Sequence, residues 1–307
     1  MFPRLLFTLL CGLTLSFPLA AATPKVLTTI KPLQLIASAV LDGVAQPELL
    51  LPPNASPHNY ALRPSDRRQI ANADRLYWVG PELERFLQRL LHSQPSAQRL
   101  DQIPGLTLRH FDDEHQHGAE HEHTHQHHDH EHAPGTVDPH IWLSPDNAKL
   151  IARWMAEDLA QLYPEHQAQL QHNADGFSER LSALQRGLHE RLQPLADKPY
   201  FVFHDAYGYF EDSIGIHPRG VFTLSMEVQP GARHIQSLRQ LLTSVGPSCV
   251  FHEPQFPADR IATLSADLPV RDAELDPLGV AITPGPHGYE QLLENLGQTL
   301  AECLEQL

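Results

Sequence analysis

The chain has 307 residues, of which 41% are hydrophobic and 19% are charged. This length allows one large or two medium-sized domains, and the hydrophobic fraction is too high for a chain that is disordered throughout. The 37 acidic residues outnumber the 22 basic ones. Because the chain also lacks a run of Lys or Arg, it is poorly suited to bind the phosphates of a nucleic acid, and we expect no nucleic-acid partner. The most unusual count is that of histidine, with 21 residues.

Residues 1–22 have the pattern of a secretory signal peptide. Arg4 supplies a positive charge, the stretch Leu5–Ala20 is mostly apolar, and Ala20–Ala22 offers a small-residue cleavage site. A membrane anchor is the alternative, but the apolar stretch is short and interrupted, and no later segment approaches the roughly 20 apolar residues of a spanning helix. We therefore expect export and cleavage, which leave a soluble protein outside the cytoplasm.

The cysteines indicate a disulfide. Cleavage would remove Cys11 and leave Cys249 and Cys303. Two cysteines that remain in an oxidising compartment usually pair, so we expect a bond between them. A metal-binding pair is the alternative, but these residues lack the short C-x-x-C spacing of zinc fingers.

The segment 23–163 is predicted to form a first α/β lobe. Short β-branched or apolar runs indicate strands at 26–29, 48–51 and 75–79, and amphipathic patterns indicate helices after Pro32, from Pro64 and over 81–91. Strands that alternate with helices indicate βαβ units and therefore a mainly parallel sheet.

Residues 110–132, the histidine tract, interrupt this pattern with ten histidines, seven acidic residues and almost nothing apolar. Such a tract cannot bury a core, so we expect a low-complexity loop inserted in a folded domain. Imidazoles interleaved with carboxylates indicate a segment that binds metal weakly at many points, and not a linker without a binding role. The predicted accessory metal-binding residues of this loop are His115, His117, His121, His123, His125, His127, His128, His130 and His132.

A helix start at Ser144–Asp146 follows the tract, and a longer helical pattern opens at Pro164. In the longer pattern apolar residues recur at steps of four and three, which predicts one apolar face along the whole helix. At 1.5 Å per residue such a helix would span about 40 Å, enough to run along two lobes and connect them. We therefore predict that 164–197 is a connecting helix.

The segment 198–307 is predicted to form a second α/β lobe. The expected strands are 200–203, 220–223 and 249–251, and the expected helices are 234–243 and 288–304. The predicted fold class is therefore α/β, with two lobes that have mainly parallel sheets and are joined by a long rigid helix.

Eleven histidines lie outside the tract, and none has the local spacing of a zinc finger or of an H-E-x-x-H helix. Their positions in the predicted fold make some of these histidines candidate metal ligands. His58 and His204 follow predicted strands, and ligands of open α/β sheets collect at the carboxyl ends of strands. His140 precedes the helix that starts at Ser144, and Asp276 lies in a proline-containing turn that could complete a set of four ligands.

Five blocks of sequence carry a resemblance to a known family. They are Asn54–Tyr60, Asp138–Pro145, Phe203–Phe210, Glu253–Phe256 and Leu275–Gly279. With these blocks in this order, the chain resembles the periplasmic zinc-binding proteins of ABC-type zinc transporters, the ZnuA family of metal-binding solute-binding proteins, over essentially the whole mature chain. The resemblance implies a metal in the cleft between two lobes, and delivery of that metal to a membrane permease.

The resemblance also implies a ligand set. The histidine of each of the first three blocks is a metal ligand in that family, which here implies His58, His140 and His204, and Asp276 corresponds to the fourth ligand of some relatives. Some zinc relatives have an acidic residue just before the first histidine, where this chain has Pro57, so Asp276 or a water must complete the set. Manganese-binding relatives use a carboxylate in place of His204, and three nitrogens favour Zn²⁺ over manganese. Copper and nickel stay open as alternatives, because nitrogen-rich sites also bind them well.

The resemblance thus implies a soluble periplasmic carrier, expected to be a monomer, that binds Zn²⁺ and hands it to the permease of an ABC transporter. We do not expect an enzyme. Three histidines and a water could form the site of a zinc hydrolase, but the sequence has no nucleophile elbow and no H-E-x-x-H helix. A zinc storage or buffering protein is the other alternative, and it predicts many similar weak sites in place of a single tight one.

Overall fold

The computed structural model of the protein describes residues 23–111, 135–223, 232–256 and 266–307. The predicted signal peptide at 1–22 and the tract histidines from His115 to His132 lie outside these residues. Among the helices that the structure describes, none combines the length and the apolar character needed to cross a membrane.

The first half of the chain contains a four-stranded sheet. The strands and helices of this half are β1 (Val26–Thr28), α1 (Lys31–Val40), β2 (Glu48–Leu49), α2 (Pro64–Asn72), β3 (Arg75–Trp78), α3 (Arg85–Leu91), β4 (Ala97–Arg99) and α4 (Pro145–Leu159). The strand order is β2-β1-β3-β4, and all neighbouring strands run parallel. The carboxyl ends of these strands therefore share one edge of the sheet.

The second half repeats this architecture after a long helix, α5 (Gln167–Leu192). Its elements are β5 (Tyr200–His204), α6 (Gly208–Ile214), β6 (Gly220–Thr223), α7 (Ala232–Val245), β7 (Ser248–His252), β8 (Val270–Glu274) and α8 (Gly288–Leu304). The strand order is β6-β5-β7-β8, again with parallel neighbours. The predicted fold class, with two parallel-sheet lobes and a long helix, is confirmed.

Helix α5 has the apolar face that the sequence predicts. Its 26 residues span about 39 Å at 1.5 Å per residue. The buried apolar positions recur at steps of three to seven along one side and are Leu170, Ala174, Phe177, Leu181, Leu188 and Leu192. This face packs against α1 and α4 of the first half and against α6 and α8 of the second half. The helix therefore contributes to the core of both lobes.

Three elements were not predicted, namely β4, α6 and β8, and two α-helices begin later than predicted. Helix α5 begins at Gln167, after a short 3₁₀ turn at Pro164–His166. Helix α3 begins at Arg85 instead of at 81. The residues before it form a turn in which the Glu84 carboxylate accepts the N–H of Gly80, and the Glu84 N–H donates to the Gly80 carbonyl. The backbone of Glu84, with φ −112° and ψ 56°, lies outside the helical region, so it separates this turn from the helix that follows.

The predicted disulfide between Cys249 and Cys303 is confirmed. It joins β7 to α8 and closes a loop with a sequence separation of 54 residues. In the chain-entropy model, a loop of this length stabilises the folded state by about 4 kcal/mol. The bond therefore fixes the last helix to the second sheet.

Candidate metal centre

Three histidines that are far apart in the sequence converge in the structure. His58 lies in the loop between β2 and α2, His140 lies just before α4, and His204 is the last residue of β5. One ligand nitrogen from each ring lies within 4.8 Å of the other two. The ring centroids are 5.2–5.6 Å apart. The geometry thus brings all three predicted histidine ligands into one group, drawn from both halves of the chain.

The three histidines are enclosed by protein. Each is buried, with 4% of His58 and 2% of both His140 and His204 exposed. A buried polar side chain is costly unless it is hydrogen-bonded or binds a ligand. The group therefore has the character of an enclosed site in which a small ion can be shielded from water.

Two of the three rings are each held in orientation by a carboxylate of their own. The Nδ1 atom of His140 is 2.7 Å from Asp138 Oδ1, which also accepts the backbone N–H of His140. The Nδ1 atom of His204 is 2.7 Å from Glu253 Oε1. With Nδ1 bonded to a carboxylate, Nε2 is the nitrogen that can offer a lone pair to a metal, and the carboxylate increases the basicity of the ring.

The protonation of these two rings differs because their surroundings differ. Burial lowers the pKa of His140 to about 3, which keeps the ring neutral at physiological pH. Burial also opposes the protonation of His204, but the charge of Glu253 and its hydrogen bond outweigh that effect and raise the pKa of His204 above its usual value. Of these two rings, His204 is therefore the one at which a metal must compete with a proton.

Comparison with known proteins places the chain in a family. Residues 26–303 match the family model described as zinc-uptake complex component A, periplasmic, or ZnuA. The chain belongs to this family.

Relatives in the ZnuA family match nearly the full chain. The high-affinity zinc uptake system protein ZnuA of Yersinia pestis is 40% identical over 303 residues, which cover 96% of this chain and 95% of the relative. The protein of the same name from Brucella abortus (strain 2308) is 39% identical, with 93% of each chain covered. The family resemblance carried by the five sequence blocks is confirmed.

A solved structure also shares the fold. A chain described as a crystal structure of ZnuA has a TM-score of 0.75 and 23% sequence identity, and the match covers 92% of this chain and 99% of that one. At this level of identity the likeness supports the two-lobed ZnuA fold alone.

Asp276 lies outside the three-histidine group that the described residues form. Its carboxylate accepts the backbone N–H groups of Leu278, Gly279 and Val280, and so it closes the turn that follows it. The same turn presents the Pro277 carbonyl, which accepts the indole N–H of Trp142. That Asp276 supplies a fourth ligand stays a prediction.

The described residues beside the histidine tract pair with each other directly before Asp138, the carboxylate that holds His140. His110 pairs with Val137 in an antiparallel bridge, and the Phe111 N–H donates to the carbonyl of Thr136. The chain therefore leaves and re-enters the described fold at neighbouring points, and Asp138 follows directly after this pairing. Nine of the ten tract histidines lie outside the described residues, so their accessory role stays a prediction.

The sequence analysis did not predict that Asp138 and Glu253 hydrogen-bond to ligand rings. In the sequence, Asp138 is noted only as part of the block that contains His140, and Glu253 only as part of a later block. A signal for Glu253 existed, because it follows β7, which is a parallel neighbour of β5. Carboxyl ends of neighbouring parallel strands meet at one edge, which brings Glu253 to His204 at the end of β5.

Proposed function

We propose that the protein captures one zinc ion outside the cytoplasm and delivers it to the membrane permease of an ABC-type zinc uptake transporter. The observation that carries the proposal is the group of three buried imidazoles, those of His58, His140 and His204, with ligand atoms within 4.8 Å of one another. Neutral imidazole is the commonest nitrogen ligand of zinc. Membership in the zinc-uptake complex component A family supports the transport role.

The donor set supports the choice of metal. Three nitrogen donors suit zinc better than manganese, which prefers oxygen ligands. We propose that Asp276 or a water completes the tetrahedral shell. If Asp276 is the fourth ligand, Asp276→Asn should weaken zinc affinity by at least about tenfold, whereas a water-completed site should change much less.

The placement of the ligands supports a carrier. His58 and His140 come from the half of the chain that holds the first sheet, and His204 comes from the second sheet. A metal bound by all three bridges the two halves, so occupancy is linked to their relative position. A transporter can then distinguish the loaded carrier from the empty one, even when the difference in position is small.

Export and catalytic inactivity complete the proposal. The sequence pattern of residues 1–22 supports a cleaved signal peptide, and the disulfide Cys249–Cys303 suits an oxidising compartment such as the periplasm. The three histidines are buried, whereas a catalytic zinc also needs a substrate pocket beside the ion. Turnover of an ester substrate or hydration of CO₂ by the zinc-loaded protein would contradict a role restricted to transport.

Calorimetric titration with zinc tests the site directly. Wild type is expected to bind one equivalent tightly, and the variant His58→Ala/His140→Ala/His204→Ala is expected to lose that equivalent. His252→Ala is the matched control, because His252 is a half-buried histidine at the end of β7 that does not belong to the group. A storage protein would instead show several similar weak equivalents that the triple substitution leaves nearly intact.

We further propose that the histidine tract is an accessory zinc-binding segment that raises the local zinc concentration near the site. The density of histidine in 110–132 and the position of the paired flanks beside Asp138 support this role. A variant that lacks Gly118–His132 is expected to keep the tight equivalent and to lose only weaker ones. Loss of the tight equivalent in this variant would contradict an accessory role.

A further inference from the structure

A hydroxyl group connects the two halves of the protein next to the metal centre. Tyr209 lies on α6 in the second half and is only 3% exposed. Its hydroxyl accepts the backbone N–H of Arg109 at 2.9 Å and donates to the carbonyl of Asp138 at 2.9 Å. Both partners belong to the first half, and they are bonded to each other through the N–H of Asp138 and the carbonyl of Arg109.

These bonds connect two metal ligands through a short path. Asp138 holds the ring and the backbone of His140, so displacement of Asp138 moves that ligand. His204 ends β5, and Tyr209 lies five positions further along, on the helix that directly follows this strand. The Tyr209 hydroxyl therefore joins the segment that carries His204 to the segment that carries His140.

The side chain of Arg109 supports the same contact. Its guanidinium donates to the Asp212 carboxylate of α6, lies 5.9 Å from the centre of the Tyr209 ring, and has Nε 3.9 Å from Asp138 Oδ2. Gly208 makes room for it, since a Cβ atom at that position would lie 2.6 Å from Arg109 Nε. The first turn of α6 is thus shaped to receive an arginine from the other half of the chain.

We propose that Tyr209, supported by Arg109, is a positioning residue that sets the distance between His140 and His204 and thereby controls how long the protein retains zinc. This inference rests on the proposed function, because it concerns zinc held by the three histidines. Loss of an outer partner of a metal ligand typically weakens binding by 10–100-fold. Because the metal stays enclosed, we expect most of this loss as faster zinc dissociation, by about tenfold.

The test compares Tyr209→Phe with Tyr163→Phe. Tyr163 is an equally buried tyrosine, 3% exposed, whose hydroxyl also donates to a backbone carbonyl, that of Pro24 at 2.7 Å. Zinc dissociation is measured by mixing the zinc-loaded protein with excess chelator. Tyr209→Phe is expected to release zinc about ten times faster than wild type, and Tyr163→Phe at the wild-type rate.

A second pair of variants tests the guanidinium. Arg109→Ala is expected to speed zinc release as Tyr209→Phe does, whereas Arg99→Ala is not. Arg99 has similar side-chain exposure, 34% against 30% for Arg109, and it also pairs with a carboxylate, that of Asp101. Because both variants lose an arginine–carboxylate ion pair, a difference in zinc release between them reports the contact of Arg109 with α6 and not the loss of an ion pair in general.

Two further measurements separate positioning from ordinary stabilisation. Cobalt(II) bound in place of zinc absorbs visible light with an intensity that depends on ligand geometry, so a positioning role predicts a changed spectrum in Tyr209→Phe and not in Tyr163→Phe. The zinc-induced rise in Tm should also shrink only in Tyr209→Phe. Equal Tm losses in both variants, with unchanged zinc release and cobalt spectra, would overturn the inference. Failure of wild type to bind zinc tightly would instead contradict the proposed function.

Discussion

Glu253 shows how one residue can affect both zinc affinity and its dependence on pH. Its carboxylate lies 2.7 Å from Nδ1 of His204 and is almost fully buried. The negative charge makes the ring a stronger zinc ligand, and it also raises the pKa of His204. Zinc and protons therefore compete for this ring at a higher pH than they would for an ordinary imidazole.

Substitution of Glu253 by Gln should separate these two effects. Gln can still accept the Nδ1–H bond, so the ring should keep its orientation, but the charge is lost. We expect zinc affinity near neutral pH to fall by about tenfold. Because the pKa of His204 then falls, acid should begin to weaken binding at a lower pH than in wild type. Zinc titrations between about pH 5.5 and 7.5 measure both effects.

The control for this prediction is Glu179→Gln, which removes an exposed carboxylate from α5. It should leave both the affinity and its pH dependence unchanged. A Glu253→Gln variant that matches wild type in affinity and in the pH at which binding weakens would contradict the assignment of this role to Glu253.

Glu84 provides a prediction for the stability of the metal-free protein. It is fully buried, and burial raises the pKa of its carboxyl from 4.5 to about 7, although the Thr29 hydroxyl and the Gly80 N–H both donate to it. A raised pKa means that the folded state holds the proton more tightly than the unfolded state. The associated stability is fully present below pH 4.5 and is lost as pH rises to about 7, by about 3 kcal/mol.

Glu84→Gln should remove this part of the pH dependence. An amide can accept the Gly80 N–H and donate to the Thr29 hydroxyl, so the local bonds can be kept without a titrating group. The difference in unfolding free energy between the variant and wild type should therefore grow in favour of the variant as pH rises from 4.5 to about 7. Denaturant titrations across this range measure it, and a constant difference would contradict the prediction.

At the scale of elements, the sequence predicts best those features that repeat along the chain. The apolar face of α5 could be predicted because apolar residues spaced at three and four over many turns are typical of a helix and of little else. Strands such as β4 and β8 could not, because β4 has only three residues and β8 combines two apolar residues with three charged ones. Short elements form because neighbouring strands offer hydrogen bonds, and a sequence window does not contain that information.

In the site, too, features with a local sequence signal could be predicted, and features that depend on the packing of distant segments could not. His58, His140 and His204 could be predicted from strand ends and from the family blocks, since each lies in a recognisable local context. The bond from Tyr209 to Asp138 could not, because it joins residues 71 positions apart whose approach depends on how the two halves pack. The turn-closing bonds of Asp276 are local, yet the sequence equally allowed a ligand role for that carboxylate.

The disulfide is an element-scale feature that should affect stability more than zinc binding. Cys249 lies near the amino end of β7, whereas the metal centre lies at the carboxyl end of β5, its parallel neighbour. Cys249→Ala/Cys303→Ala should therefore lower the free energy of unfolding by about 4 kcal/mol, measured in denaturant, since the unfolded chain regains its loop entropy. Zinc affinity should stay close to that of wild type. A loss of affinity as large as that caused by His204→Ala would contradict this separation.

At the scale of the whole molecule, the halves are already in contact around the metal centre. Helix α5 packs against helices of both halves, and α1 packs against α8. The Trp142 indole donates to Pro277, and the Tyr289 hydroxyl donates to the Trp142 carbonyl. These contacts predict that zinc tightens an existing arrangement instead of closing a wide cleft.

Hydrogen exchange can test this picture, because zinc should protect both halves together. Zinc stabilises the state that binds it, by about 2.7 kcal/mol when free zinc is at 100 times Kd, and a bridging ion spreads this effect across the contact. We expect slower amide exchange with zinc in β5 and α6 and, equally, around His58 and His140. In His204→Ala, the ion loses the ligand that comes from the second sheet, so zinc-dependent protection of β5 should shrink more than protection around His58 and His140. Protection confined to one half in wild type, or protection of β5 that is undiminished in His204→Ala, would show that zinc does not couple the lobes through these three rings.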